Sequence, residues 1–255
     1  IFVNINNMDI LLVNDDGIYS QGILTLAKKL SEENNVTVVA PQGQMSGVGH
    51  AFTLYEYVNF VKMDILKDVH CYAVNGTPAD CVKVAINIIL DKTPDLIISG
   101  INKGFNLGTD IFYSGTVNAA LEGAIHNIKA IAVSQEYELD DFETSSDVVL
   151  SLYKRLYQLL PDDAQTVFNI NVPKTADDKL SGIKFAKLGV KRFAENYRYE
   201  EGFGYRAHCR TTYGENTSQE DDVWLYDRGY VTISAVRNDW NDYLAYQELK
   251  NEDLK

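Results

Sequence analysis

Two neighbouring carboxylates follow the first apolar run of the sequence. Residues 9–14 (DILLVN) are typical of a parallel strand buried on both faces, and Asp15 and Asp16 come directly after them. Adjacent carboxylates repel each other, and a divalent cation such as Mg²⁺ or Mn²⁺ relieves that repulsion because it prefers oxygen ligands. A plain turn before a helix fits the same residues, so the pair alone leaves both interpretations open.

A second group of polar residues lies in and after a glycine-rich loop. Asn102 comes just after a predicted strand (DLIISG), where its side-chain oxygen would complete a cation shell. The glycines of residues 99–110 allow backbone N–H groups to approach an anion. Ser114, Gly115 and Thr116 then lead into a predicted helix, and hydroxyls at a helix N-terminus form a phosphate cradle. A capped helix without a ligand is the alternative.

Other polar residues give weaker signals. Ser46 lies in a glycine-rich loop (QGQMSGVGH), where a turn residue is the more frequent role. His50 ends that loop and is a candidate for proton transfer, although a structural role is more frequent for each of the four histidines. Cys71, Cys81 and Cys209 form no CxxC or Cys/His cluster, so we expect free thiols rather than zinc ligands or disulfides.

Strands and helices alternate along most of the chain and would position these residues. Buried strands are predicted at residues 9–14, 36–40, 95–100, 129–134 and 166–172. Helices are predicted by apolar spacing at residues 23–30 and 149–159, by a start at Thr77 and Pro78, and by a cap at Thr116. This alternation predicts a mostly parallel sheet covered by helices, whose strand ends bring the acidic pair and the phosphate cradle to one edge.

The combination suits metal-assisted hydrolysis of a phosphate ester, in which a cation polarises the phosphate and activates a water. The sequence contains no Walker-type GxxxxGK[ST], no GxGxxG after the first strand and no GxSxG serine-hydrolase motif. These absences exclude a P-loop nucleotide-binding site, a dinucleotide-binding loop after the first strand and a serine-hydrolase nucleophile.

The composition is that of an acidic globular protein. The 255 residues are 45% hydrophobic and 23% charged, with a formal net charge of −13. This acidity argues against a binder of duplex nucleic acid, which needs a basic surface, but leaves a small phosphorylated substrate open. No apolar run reaches the about 18 residues that span a membrane. We therefore expect no membrane partner and a cytoplasmic location.

The sequence pattern changes after about residue 180, where Tyr-rich polar segments replace the alternation of predicted strands and helices. We expect residues 1–7 to be a cloning remnant or an upstream extension, and residues 8–180 to form the α/β catalytic core. Residues 181–255 would form an irregular strand and hairpin extension with a C-terminal helix, packed on the core and on a partner subunit.

Several long strings resemble the SurE family of survival proteins. They are ILLVNDDGIYSQGI, APQGQMSGVGH, VNGTPADCVKVAI and LIISGINKGFNLGTDIFYSGTVNAALEGA, with weaker matches at FNINVP and GYVTIS. The resemblance extends from Met8 to about residue 240. It implies a Rossmann-like three-layer α/β/α core with a C-terminal extension for oligomerisation, exchanged between the subunits of a homodimer or homotetramer.

The resemblance also implies an activity and its residues. The family activity is divalent-metal-dependent hydrolysis of nucleoside 5′- and 3′-monophosphates to nucleoside and phosphate, with some action on short polyphosphate. One Mg²⁺ or Mn²⁺ ion per subunit is implied, with metal ligands at Asp15, Asp16, Ser46 and Asn102, of which the two aspartates are also catalytic. Phosphate contacts are implied at Asn106, Ser114, Gly115 and Thr116.

The chain departs from the family pattern at Met45, where many relatives carry Arg, and this removes a cation near the phosphate. Tyr113 and Phe105 are candidates for stacking on a base, with packing the more frequent role of each. Two other functions stay open. A receiver-type signalling module would need an acceptor Asp where the third strand ends in Ser99 and Gly100. A nucleotide-binding protein without catalysis would bind mononucleotides and release no phosphate.

Overall fold

A computed structural model describes the backbone of residues 7–139, 141–176, 179–213, 218–239, 241–243, 246–247 and 250, and their side chains except at 191–196 and 207–213. The expectations for residues 1–6, for most of the C-terminal helix and for the side chains of His208 and Cys209 fall outside the described residues. Cys71 and Cys81 are buried free thiols, as predicted.

The described residues form two sheets. The strands are β1 (Asp9–Val13), β2 (Asn35–Pro41), β3 (Phe60–Met63), β4 (His70–Val74), β5 (Leu96–Lys103), β6 (Ala130–Gln135), β7 (Thr166–Val172), β8 (Gly182–Ala186), β9 (Lys191–Glu200), β10 (Gly204–Tyr213) and β11 (Tyr230–Arg237). Nine of them form one sheet in the order β3-β4-β2-β1-β5-β6-β7-β11-β8, and β9 and β10 form an antiparallel hairpin. Within the large sheet, only the β3–β4 and β7–β11 pairs are antiparallel.

Helices cover both faces of the large sheet. They are α1 (Gln21–Leu30), α2 (Pro78–Val84), α3 (Gly115–Ile125), α4 (Glu143–Leu159) and the short α5 (Asp222–Tyr226). Successive side chains of a strand point to opposite faces, so Ile10 and Leu12 of β1 pack with α1 and α4 while Leu11 and Val13 pack with α2 and α3. The predicted three-layer, Rossmann-like α/β/α core is therefore confirmed. Among the described helices, none has the length and apolarity to cross a membrane.

The structure corrects the predictions in three places. No strand is predicted between residues 41 and 94, but β3 and β4 lie there, because strands of four and five residues give little periodic signal. Asn102 lies within β5 rather than in the loop after it. The predicted cap at Thr116 is wrong: α3 is capped by Ser114, whose side-chain oxygen accepts a hydrogen bond from the Val117 N–H at 3.1 Å. The Thr116 hydroxyl has a different partner, described below.

Candidate active site

The predicted site residues gather at the carboxyl ends of β1 and β5. One cavity of about 280 Å³ is lined in part by five of them: Asp15, Ser46, Asn102, Asn106 and Ser114. The other three, Asp16, Gly115 and Thr116, are joined to this cavity through the contacts described next. The structure thus brings the whole predicted set to one edge of the sheet, as expected where parallel strands end.

Asp15 is buried against the N-terminus of α3. The Thr116 hydroxyl donates a hydrogen bond to Asp15 Oδ1 at 2.5 Å. Gly115 is required by close approach, because a Cβ there would lie 2.8 Å from the Asp15 Cβ. Burial raises the pKa of Asp15 to about 6, the bond from Thr116 lowers it, and the neighbouring charge of Asp16 raises it again. The expected repulsion between the two carboxylates is therefore present.

Asp16 is tied to the end of β5. The backbone N–H of Lys103 donates to Asp16 Oδ2 at 3.1 Å. Burial raises the pKa of Asp16, while the hydrogen bond from the Lys103 backbone lowers it. The Asn102 side-chain nitrogen donates a hydrogen bond to the Gly104 carbonyl at 2.6 Å. This bond fixes the orientation of the amide, whose oxygen Oδ1 is an acceptor only. Asp16 and Asn102 are thus both held by the backbone of residues 103 and 104.

The loop that carries Ser46 is fixed on both sides of the serine. Before it, the Met45 N–H donates to the carbonyl of Asp15 at 2.7 Å. After it, the Gly49 N–H donates to the carbonyl of Tyr113 at 3.0 Å. These bonds hold the exposed Ser46 side chain at the cavity, although Ser46 lies in a glycine-rich loop.

His50 anchors the same loop to α3. Its Nε2 lies 2.8 Å from Glu122, a carboxylate that is 4% exposed and also lies 2.6 Å from Lys83 Nζ and 3.0 Å from His126 Nε2. Burial raises the pKa of Glu122, but the bonds from His50 and Lys83 outweigh it and hold the pKa at about 2. The geometry favours the structural role of His50 over proton transfer, since His50 does not line the cavity.

Asn106 is held by polar side chains of β6 and β7 that were not predicted from the sequence. Its N–H donates to Asn171 Oδ1 at 2.7 Å, and its amide nitrogen donates to Ser134 Oγ at 2.7 Å. Its carbonyl accepts from Asn169 at 2.8 Å and from Asn171 at 3.1 Å. The available signal was the alternation of Asn with apolar residues in the buried strand β7 (TVFNINV), which interrupts an otherwise apolar run.

The segment after residue 180 supports the glycine-rich loop. Asp222, buried at the start of α5, accepts from the Gly108 N–H at 2.8 Å. Phe105 packs on Tyr226 of the same helix, with ring centroids 5.6 Å apart. Phe105 is therefore engaged in packing, the alternative to base stacking. Tyr113 is 60% exposed at the cavity. Asp222 was also missed, because its contact joins residues 114 positions apart.

The donor set fits a hard divalent cation. Two carboxylates, a hydroxyl and a carboxamide oxygen are ligands that Mg²⁺ and Mn²⁺ accept. A cation beside Asp15 would favour its charged form against the effect of burial. Among the described residues, no group of three or more His, Cys, Asp or Glu side chains is arranged to hold a metal ion. The candidate set contains only two such residues, and Ser46 and Asn102 supply its other oxygens.

A larger cavity of about 460 Å³ lies at the opposite, amino end of the strands, against Asp9, Asn35 and His70. It contains none of the predicted site residues. Position in the sheet therefore favours the smaller cavity as the reaction site, because ligands of open α/β sheets bind beyond the carboxyl ends of strands.

Comparisons with known proteins match most of the chain to a single family. The family model "Survival protein SurE" matches residues 10–195. The chain is 46% identical to 5′-nucleotidase SurE of Thermosipho africanus, over 90% of this chain and 91% of that one. It is 36% identical to 5′-nucleotidase SurE of Natranaerobius thermophilus, over 96% and 98%. The crystal structure of the SurE protein from Aquifex aeolicus matches with a TM-score of 0.81 and 36% identity, over 94% of this chain and 98% of that one.

Proposed function

The chain belongs to the SurE family, and we propose that it is a 5′-nucleotidase, a hydrolase that converts nucleoside 5′-monophosphates to nucleosides and phosphate. The observation that carries the proposal is that Asp15 and Ser114, the cap of α3, line one cavity at the carboxyl edge of the sheet, with Asp16 bonded to the backbone of Lys103 in the same cavity wall. The names of the relatives, 5′-nucleotidase SurE, support the same activity.

The proposal includes one divalent metal ion per subunit, Mg²⁺ or Mn²⁺. Asp15, Asp16, Ser46 and Asn102 would hold it. When bound, the ion would supply Lewis-acid polarisation of the phosphate ester and activation of a water. Burial and mutual repulsion raise the pKa of Asp15, so binding of a cation would be coupled to loss of a proton from the acidic pair.

The chain's own residues would orient the phosphate. Ser114 caps α3, and the N-terminus of this helix presents partial positive charge toward the cavity. We assign phosphate contacts to Ser114, Gly115 and Asn106. Thr116 directs its hydroxyl to Asp15, so we assign it to positioning that carboxylate within the phosphate-binding turn. Asp15 and Asp16 are the proposed catalytic residues, acting on the attacking water or the phosphate.

We also propose the finer features of the family. They are hydrolysis of 3′-monophosphates and short polyphosphate, a cytoplasmic location, and assembly as a homodimer or homotetramer through the segment after residue 180. The β9–β10 hairpin supports assembly, since Tyr197, Tyr199, Phe203 and Tyr205 expose large apolar surface there.

The receiver-type alternative is disfavoured by β5. This strand runs through Ser99 and Gly100 to Lys103 and has no carboxylate at the position of an acceptor. Nucleotide binding without catalysis uses the same residues as hydrolysis, so only an activity measurement separates the two.

The experiment is phosphate release from a panel of nucleoside 5′-monophosphates, 3′-monophosphates and tripolyphosphate, each with Mg²⁺, Mn²⁺ or excess chelator. We expect release from 5′-monophosphates with either metal and none with chelator. Metal-dependent binding with no phosphate released would instead assign the chain to the non-catalytic class. Full activity in excess chelator would contradict the metal site.

A further inference from the structure

The cavity of the candidate active site is small for a whole nucleotide. Its volume of about 280 Å³ lies below the about 300–1,000 Å³ typical of small-molecule sites. The N-terminus of α3, where the phosphate is proposed to bind, forms part of the wall of this cavity through Ser114. The base of a nucleoside monophosphate would then extend to the rim, so the exposed residues of the rim decide how it is recognised.

Lys103 and Tyr137 lie together at this rim. Both line the cavity, and Lys103 Nζ lies 5.0 Å from the centroid of the Tyr137 ring, which is 66% exposed. Backbone pairing fixes their relative position, because Lys103 pairs with Gln135 across β5 and β6. The Gly104 N–H also donates to the Gln135 carbonyl at 2.9 Å. Lys103 is thus the last residue of β5, and Tyr137 lies in the turn two residues after the end of β6.

The charge of Lys103 also stands out at this cavity. Asp15 and Asp110 line it, Asp16 is bonded to the Lys103 backbone, and Lys103 is the one Lys or Arg among the described lining residues. An anionic substrate that enters therefore meets one side-chain cation, and that cation rests on an aromatic ring. A contact of this kind at an exposed site is weak enough for the ammonium to turn toward a phosphate.

We propose that Tyr137 and Lys103 form the nucleoside-recognition site, with the Tyr137 ring stacked on the base and the Lys103 ammonium facing the phosphate. The proposal rests on the proposed 5′-nucleotidase function and names specificity-determining residues for it. Tyr113 is the other exposed aromatic residue of the rim, but it precedes the cap Ser114 and so lies at the phosphate end of the cavity. Tyr137 follows β6 instead, beside the strand ends.

The test compares a nucleoside 5′-monophosphate with ribose 5-phosphate, which carries the same phosphate and sugar without a base. Stacking of a base on an aromatic ring typically changes affinity by roughly tenfold or more. We expect Tyr137→Leu to raise KM for the nucleotide by about that factor and to leave KM for ribose 5-phosphate unchanged. Tyr137→Phe should behave as wild type. Lys103→Gln should raise KM for both substrates, since both carry the phosphate.

A matched control is available in a second Lys–Tyr pair. Lys129 Nζ lies 4.7 Å from the centroid of the Tyr157 ring, and neither residue lines the cavity. Tyr157→Leu should leave the ratio of the two KM values unchanged. An equal change for both substrates in Tyr137→Leu would overturn the proposal, as would loss of the base preference in Tyr113→Leu instead.

The outcome is distinguishable from failure of the proposed function. If the wild-type protein releases no phosphate from any ester, the function fails, and calorimetric dissociation constants for the same two ligands and variants replace KM. A selective loss of nucleotide affinity in Tyr137→Leu would still support the recognition site. Equal affinity of wild type and Tyr137→Leu for the nucleotide would overturn it.

Discussion

Glu122 gives a quantitative prediction about how the site loop is held. Its carboxylate joins α3 to His50, which follows Ser46 in the same loop, and to Lys83 of α2. The pKa of Glu122 lies at about 2 instead of 4.5. A depression of that size sets an upper bound of about 3 kcal/mol on the contribution of Glu122 to the free energy of unfolding. Solvent screening at His50 and Lys83, whose side chains are 31% and 36% exposed, reduces it to roughly 1–2 kcal/mol. We therefore expect Glu122→Gln to lower that free energy by roughly 1–2 kcal/mol at pH 7.

The sign of the pH dependence follows from the direction of the shift. A carboxylate whose pKa is lowered by folding stabilises the protein above its ordinary pKa, and this contribution is lost as the pH falls through the folded-state pKa. The difference between wild type and Glu122→Gln should thus be complete above pH 4.5 and shrink toward about pH 2.

The assay is urea unfolding of both proteins at a series of pH values. His126→Gln is the matched control, because His126 contacts the same carboxylate at 3.0 Å but lies outside the site loop, with 33% of its side chain exposed. We expect this control to lose less than about 1 kcal/mol. Equal stability of wild type and Glu122→Gln at pH 7, or a difference that stays constant down to about pH 2, would refute the reasoning.

Two further predictions concern the contacts of Asp15. Thr116→Val removes the hydroxyl that donates to Asp15 at 2.5 Å, so the pKa of Asp15 in the metal-free protein should rise further by about one unit, which an NMR titration profile of its carboxylate measures. Thr116→Ser should keep the wild-type profile, and an unmoved profile in Thr116→Val would contradict this role. Gly115→Ala would place a methyl group 2.8 Å from the Asp15 Cβ, so steady-state kinetics should show at least about a tenfold loss of kcat/KM. Wild-type kinetics in this variant would show that the turn can relax.

The alternation of apolar runs was sufficient to predict the layers of the fold. β1, β5, β6 and β7 are continuous buried runs. Because such strands are parallel and share a carboxyl edge, the positions of Asp15 and Ser114 at one site followed from the pattern. β3 and β4 were not predicted, since strands of only four and five residues carry few periodic positions.

The supports of the site could not be predicted, because they join residues far apart in the sequence. Asn106 and Asn171 are 65 positions apart, and Gly108 and Asp222 are 114 apart. A polar residue in a buried strand indicates that a partner exists but does not identify it. The prediction of the α3 cap was wrong for a local reason. Ser114 and Thr116 are both good capping residues, but the Thr116 hydroxyl is bonded to Asp15, and the Ser114 side chain caps the helix instead.

The most direct test of the account is the rate of phosphate release from a nucleoside 5′-monophosphate with Mg²⁺ or Mn²⁺. Wild type, Asp15→Asn and Asp16→Asn should be compared, with circular dichroism to verify that each is folded. Asn has nearly the shape of Asp without its charge, so the variants remove the proposed metal ligands and leave the packing. The account predicts release by wild type and at least about a hundredfold loss in both folded variants. Turnover at the wild-type rate in both variants would contradict it.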